Sequence, residues 1–219
     1  MFALNTVQMY LENGVYKKAL VIGAETLSKI MDWNDRSTCV LFGDGAGAAV
    51  VEVDSETNCK AKQPGAANKS GILSMVQGSD GARGEVLRCD NRPVNNPFAV
   101  NDTKLSYVSM NGQEVYKFAV KRCQGDRRGS EKAGLEVEDI DLFVLHQANL
   151  RIIESVAKRL HQPMEKFPTN LEECGNISAA SVPILLDNIN KHGMICEGKK
   201  IVLAGFGAGL TWGATVLVW

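Results

Sequence analysis

Short apolar runs closed by polar or glycine-rich junctions alternate along this chain with segments of helical periodicity. Leu142, Phe143, Val144 and Leu145 are continuously apolar, which predicts a strand buried on both faces of a sheet. After them Leu150, Ile153, Val156, Ala157 and Leu160 recur at helical spacing, with Arg151, Glu154, Lys158 and Arg159 on the opposite side. Between strand and helix stands a polar "HQAN", which puts His146 at the carboxyl end of a buried strand, where open α/β sheets place their ligands.

The same reading covers the rest of the chain. Phe2, Val7, Met9, Tyr10 and Leu11 lie on a helix that stops at Asn13-Gly14 and starts abruptly, with no capping residue before Phe2. "ALVIGAE" is expected to be a buried strand. "CVLFGDGAGAAVVEV" is expected to be a strand broken by Gly43, Gly45 and Gly47 and then resumed. Residues 54–68 mix charges with Pro64 and Gly65 and read as a linker. "GILSMVQGSDG" is a strand and turn, "RCDNRPVNNPF" a loop, and "NGQEVYKFAVK" opens a helix. "CGNISAASVPILLDNINKHG" is a helix with small residues at its head and Gly193 as its stop. The chain ends as strand, glycine-rich turn and strand. "KKALVIGAE" with "FGDGAGAAVVEV" and "KKIVLAGFGAG" with "LTWGATVLVW" pair similar parts, a weak sign of two related halves.

Composition narrows the class. A chain of 219 residues with 45% hydrophobic and 22% charged residues and net charge -1 reads as a soluble globular protein. The charge balance speaks against a nucleic-acid partner. No apolar run approaches the roughly 20 residues of a membrane helix, and the N-terminal stretch lacks the basic region of a secretory signal. The expected location is cytoplasmic. Six scattered cysteines without a C-x-x-C pair suit reduced thiols, and with three scattered histidines they offer no metal-ligand cluster.

Two residues carry candidate chemistry. His146 and Asn176, at the ends of neighbouring elements, can both donate hydrogen bonds to one carbonyl oxygen, as stabilising an enolate requires. A histidine at this place also fits a structural hydrogen-bonding role. Ser178, Ala179, Ala180 and Ser181 allow close approach of the helix they open, or simply tight packing. "GFGAG" at 205–209 can turn backbone N–H groups toward an oxyanion, although turns use glycine anyway. Neither glycine-rich stretch has the spacing of a phosphate loop or a dinucleotide fingerprint.

"FGDGAGAAV", "MNGQEVYKFAV", "DIDLFVLHQANLRII", "GNISAASVP" and "GFGAGLTWGA", in this order, resemble beta-ketoacyl-ACP synthase III, the initiating condensing enzyme of type II fatty-acid synthesis. The resemblance implies an α/β thiolase-like fold, two halves with five-stranded sheets and enclosed helices, and a homodimer. It implies an acyltransferase with a Cys-His-Asn triad. The cysteine takes an acyl group, usually acetyl, from CoA. Malonyl-ACP then loses carbon dioxide, and the carbanion attacks the acyl thioester. CoA thioester and carrier-protein phosphopantetheine are substrates, so no cofactor is implied. His146 and Asn176 match the family's His and Asn, and Gly207 and Ala208 match the oxyanion loop, with Ala in place of a common Gly. Arg36 matches a CoA-adenine contact. Met110, Gly112, Asn149 and Phe206 match walls of the pantetheine tunnel. Arg151, Lys158 and Arg159 would face an acidic acyl carrier protein, or simply solvent.

Two departures shape the expectation. The family's nucleophilic cysteine, in a "C-x-G-F" segment, should lie about four residues before Met1, and none of Cys39, Cys59, Cys89, Cys123, Cys174 and Cys196 matches it. The chain is thus expected to begin at an internal methionine. Residues 1–54 are then the remnant of a truncated first half, 55–70 a linker, and 71–219 the complete second half. Alone it should be inactive in condensation, or serve as a non-catalytic acyl or carrier-protein binding module or one subunit of a split synthase. Second, Cys123 to Ser130 interrupts the periodicity of Val115, Phe118 and Ala119 with two glycines and almost no apolar residue. One permitted back-translation read one nucleotide later restores an apolar helix, so a local frameshift is expected, at a cost of several kcal/mol if the protein carries these residues. Sequencing the locus here and upstream of Met1 checks both.

Overall fold

The computed structural model describes residues 1–53, 70–90, 98, 105–122 and 125–219, with 125–128 followed by backbone alone. The expected linker, most of the loop after Cys89, and Cys59 and Cys123 lie outside the described residues. In chain order the elements are α1 (Phe2–Glu12), β1 (Lys18–Thr26), β2 (Asp44–Glu52), β3 (Gly71–Ser79), β4 (Leu87–Cys89), β5 (Val108–Met110), α2 (Gly112–Arg122), α3 (Gly125–Lys132), β6 (Leu142–Leu145), α4 (Leu150–Leu160), α5 (Leu171–Cys174), α6 (Ser181–Lys191), β7 (Lys200–Gly207) and β8 (Thr211–Val218).

The centre is a four-stranded mixed sheet in the order β3-β8-β7-β6, with β6 parallel to β7 and the other pairs antiparallel. All four residues of β6 are buried, as the unbroken apolar run predicts. Side chains alternate across a strand. Phe143 and Leu145 therefore meet Ile152, Ile153, Val156, Ala157 and Leu160 of α4 on one face, while Leu142 and Val144 meet Leu185 and Ile189 of α6 on the other. Phe143 also stacks on Phe167 with ring centroids 4.7 Å apart. The result is helix, sheet, helix.

Six differences from the sequence reading are physical. The sheet has four strands among the described residues, not five, and β1 with β2 forms a separate two-stranded antiparallel ribbon. β1 is not a buried strand. One side packs on the segment 178–180, while Leu20 and Ile22 on the other are 60% and 59% exposed. Gly45 and Gly47 do not break β2, which runs unbroken from Asp44 because these glycines make room for Ile184 and Pro183. Cys39 to Leu41 form turns rather than strand. On α4 the inward position belongs to Ile152, and Leu150 is 44% exposed, because the stripe is carried by 152, 153, 156, 157 and 160.

The sixth difference concerns the weak segment after α2. A helix, α3, forms at Gly125–Lys132 despite the missing apolar anchors. It lies against β3 and β8 through small groups: Ser74 Oγ donates to Gly129 O at 2.7 Å, and Ser130 is fully buried. Close approach through glycine and serine replaces the side-chain burial that the periodicity lacked.

The ribbon and the sheet are fastened together near the end of β6. Asn5 of α1 is buried, donating to Gln77 Oε1 at 3.1 Å and accepting from Thr215 Oγ1 at 2.7 Å, so α1 ties itself to β3 and β8. On the other side Phe42 bridges Asn176. Asn176 N donates to Leu41 O and Gly43 N donates to Asn176 O, both at 2.9 Å. Gly43 and Gly23 permit these approaches, since a Cβ there would fall 2.5 Å from Cys174 O and 2.4 Å from Ala179 O.

Candidate active site

The polar "HQAN" has three structural tasks and one open one. His146 N extends the β6–β7 ladder by donating to Ala204 O at 2.7 Å, fixing the histidine at the strand's end. Gln147 is completely buried and acts as a strut: its Nε2 donates to Leu145 O at 2.8 Å, and its Oε1 accepts from Asn170 N at 3.3 Å. Asn149 caps α4, its side-chain oxygen accepting from Arg151 N at 2.9 Å, as a helix start requires. The remaining task is that of the His146 ring.

That ring stands between two cavities, of about 730 and 460 Å³. His146, Ser178, Phe206, Gly207 and Ala208 line both. The larger cavity also brings in Asn176, Met110, Gly112, Asn149 and Arg151, so most of the sequence-predicted residues converge on one space. The smaller is walled by α1 and α6 side chains, among them Leu4, Val182 and Leu186. Arg36 is exposed next to Ser37, which lines the larger cavity. Lys158 and Arg159 are not brought in. They sit in the last turn of α4, about 10–12 Å along the axis from Arg151 at a rise of roughly 1.5 Å per residue.

Asn176 is held in one orientation. Its backbone is clamped by residues 41–43, and its Oδ1 accepts from Ser178 N at 3.0 Å. The amide nitrogen, a donor of two hydrogens, is thereby left for the cavity. Gly175 makes the bend before it at φ 64 and ψ -159, a region essentially reserved for glycine.

Phe206 meets the His146 ring edge-on at 5.3 Å and belongs to an aromatic series. Phe118 lies 6.3 Å from Phe206 and 5.9 Å from Trp212, and Arg122 covers Trp212 at 4.1 Å. This apolar packing lowers the His146 pKa from 6.5 to about 4, burial of the ring being the main cause. His146 is therefore neutral at pH 7.

The sequence reading passed over three contributors. Cys89 lines the larger cavity, although its spacing carried no motif. Tyr116 lines it too and shares a 2.6 Å hydrogen bond with Ser155 of α4. Ser181, read as a small packing residue, lies 2.6 Å from His146 Nδ1 through its hydroxyl. The four-residue small run was the visible signal, but its partner lies 35 residues away. Among the described residues no group of three His, Cys, Asp or Glu side chains gathers for a metal, and no helix is long and apolar enough to cross a membrane.

The layered α/β core, with a histidine at the sheet end and an asparagine clamped beside it, is the thiolase-like fold of the condensing enzymes. A family model for 3-oxoacyl-[acyl-carrier-protein] synthase III matches residues 1–81, and the model for that synthase's C-terminal part matches residues 130–219. Beta-ketoacyl-[acyl-carrier-protein] synthase III of Clostridium acetobutylicum is 48% identical over 222 aligned residues, which take in 100% of this chain and 64% of that protein. The crystal structure of the Aquifex aeolicus synthase III superposes with a TM-score of 0.86 at 40% identity, over 100% of this chain and 63% of that one. A priming beta-ketosynthase of the R1128 polyketide pathway gives 0.84 at 33%, over 99% and 61%. The chain is thus similar to the 3-oxoacyl-ACP synthase III family over residues 1–81 and 130–219, and it spans about 64% of the length of the curated relative in Clostridium acetobutylicum.

Proposed function

We propose that the site serves the initiating condensation of type II fatty-acid synthesis, in which acyl-CoA, with acetyl as the expected primer, and malonyl-ACP give 3-oxoacyl-ACP. The chain's own residues are assigned to the decarboxylation half of that reaction. A malonyl thioester enters the larger cavity with its carbonyl between Asn176 and His146. The bond to the carboxyl carbon breaks, carbon dioxide leaves, and the electron pair moves onto the thioester oxygen as an enolate. Polar groups held beforehand at the place where that charge develops lower the barrier. In the full reaction the enolate carbon attacks an acyl thioester, forming the carbon-carbon bond and releasing a thiolate. Met110, Gly112, Asn149 and Phe206 are proposed to line the pantetheine arm and Gly207 and Ala208 to form the oxyanion loop. Arg36 would meet the nucleotide end of CoA, and Arg151, with Lys158 and Arg159 farther along α4, an acidic carrier protein.

The observation that carries this reading is the convergence of His146 and a clamped Asn176 on one apolar cavity of about 730 Å³. The test uses decarboxylation alone, the half-reaction assigned to the chain's own residues. Release of carbon dioxide from malonyl-CoA is expected, and Asn176→Ala should reduce it by about 10²- to 10³-fold, the usual effect of removing one such donor. His146→Ala should reduce it as well. Release no faster than in buffer, or unchanged in both variants, would overturn the proposal.

The exposed side of β1 favours a second reading, completion of the site by a further polypeptide. Leu20, Ile22 and Val50 leave an apolar face open on the ribbon, and exposed contiguous apolar surface marks association sites. Condensation of acetyl-CoA with malonyl-ACP by a mixture with the first part of a relative, absent with either alone, tests it.

A further inference from the structure

The His146 ring has only one edge free. Its Nδ1 lies 2.6 Å from Ser181 Oγ, and no described residue is a hydrogen-bond partner of its Nε2. Ser181 Oγ has two other neighbours: the carbonyl oxygen of Ser178 at 2.8 Å, which can only accept, and the N–H of Gln147 at 3.4 Å, which can only donate. A hydroxyl has one hydrogen and two lone pairs. When that hydrogen goes to Ser178 O, both lone pairs accept, one from Gln147 N–H and one from His146 Nδ1–H, and every donor in the group is paired.

The other arrangement is poorer. If Ser181 donates to Nδ1, its bond to Ser178 O is lost, and the histidine proton moves to Nε2, where no described protein group receives it. That tautomer makes one hydrogen bond fewer and leaves a donor unmatched, the costlier kind of omission in a low-dielectric site. Ser178 presents its carbonyl from an uncommon left-handed backbone, at φ 45, and Ser181 is fully buried at the first turn of α6. The hydroxyl is therefore fixed by its surroundings.

We infer that Ser181 is a positioning residue that holds neutral His146 in the Nδ1–H tautomer, so that Nε2 faces ligand as a proton acceptor and Asn176 is the resting site's side-chain donor. Burial keeps the ring neutral at pH 7, so protonation of both nitrogens does not remove the distinction. The catalytic meaning rests on the reading proposed above. The two side chains are unlike partners, Asn176 donating to a thioester carbonyl at once and His146 donating there only by shifting to the Nε2–H tautomer, which gives up the Ser181–Ser178 hydrogen bond.

The tautomer can be read without turnover. The sequence has three histidines, His146, His161 and His192, so a two-bond proton-nitrogen spectrum of the ¹⁵N-labelled chain at pH 7 is assignable with His161→Gln and His192→Gln. Wild type should show His146 with a protonated, pyrrole-type Nδ1 and an unprotonated, pyridine-type Nε2. Ser181→Ala should shift the signals to an Nε2–H or mixed state, and Ser181→Thr, which keeps the hydroxyl, should restore the wild-type pattern. An Nε2–H tautomer or an imidazolium in wild type overturns the assignment. So does a pattern that Ser181→Ala leaves unchanged. If Ser181→Ala does not fold, the wild-type and Ser181→Thr spectra decide: Nδ1–H in both supports the assignment, and its loss in either overturns it. A wild type with this tautomer but no decarboxylation removes the functional reading and leaves the tautomer standing.

Discussion

β6 and β1 are both short apolar strands by sequence, yet one is sealed on both faces and the other shows half its side chains to solvent. β6 lies at the end of a four-stranded sheet with α4 on one face and α6 on the other, and Phe143 and Val144 are essentially inaccessible. β1 pairs only with β2, and its inward face is covered by the segment 178–180 while Leu20 and Ile22 project outward. An apolar run is therefore a statement about what a strand can bury. What it does bury depends on how many layers reach it.

The sharpest contrast should come from truncating each strand. Phe143→Ala removes a ring stacked on Phe167 in the interior and should cost about 3–5 kcal/mol in urea unfolding. A value below about 1 kcal/mol would show that this sheet is not the stabilising core.

Next in size is a pH effect located where the two regions meet. Folding lowers the His146 pKa from 6.5 to about 4, chiefly by burial, so between those values the unfolded chain binds the extra proton more readily. Its stabilising contribution is complete above about pH 6.5, declines as pH falls, and is exhausted below about pH 4, an effect of at most about 3 kcal/mol. Urea midpoints at pH 7 and pH 4.5 measure it. His146→Gln should flatten the difference that this residue causes, and an equally steep decline in the variant would assign the pH dependence to other groups.

Gly23 probes the contact between ribbon and site. An added Cβ would stand 2.4 Å from Ala179 O, a backbone atom that cannot step aside alone. Gly23→Ala should cost about 1–3 kcal/mol by overpacking and disturb the segment that presents Ser178 and Ser181. Unchanged stability would mean that the ribbon yields instead. The smallest effect is expected at Leu20, where 60% exposure puts Leu20→Thr within about 0.5 kcal/mol. A larger loss would show that another surface covers this face in solution.

Most of the elements were legible because each rests on a local pattern. The stripe of α4, the continuous run of β6 and the stop at Gly193 follow from side-chain spacing and backbone freedom along a few residues. His146 and Asn176 were legible as candidates because a polar residue at the end of an apolar strand has a short list of reasons to be there. Less legible were features made by contacts distant in sequence. α3 reads as a broken helix until Gly129 and Ser130 are seen tucked against β3 and β8. Gln147 reads only as one letter of the polar "HQAN" until its amide is found braced between Leu145 O and Asn170 N.

Sequence alone thus determined most of the segments that become helix or strand, the greater part of their apolar faces, and the two side chains singled out at element ends, since these depend on neighbours within a turn or a strand. Tertiary structure decided that β6 is sealed and β1 is not, and that Arg151 reaches the cavity while Lys158 and Arg159 do not. It also decided the tautomer-setting contact of Ser181 with His146. Burial and hydrogen-bond direction depend on groups that only the packed layers bring within about 3 Å.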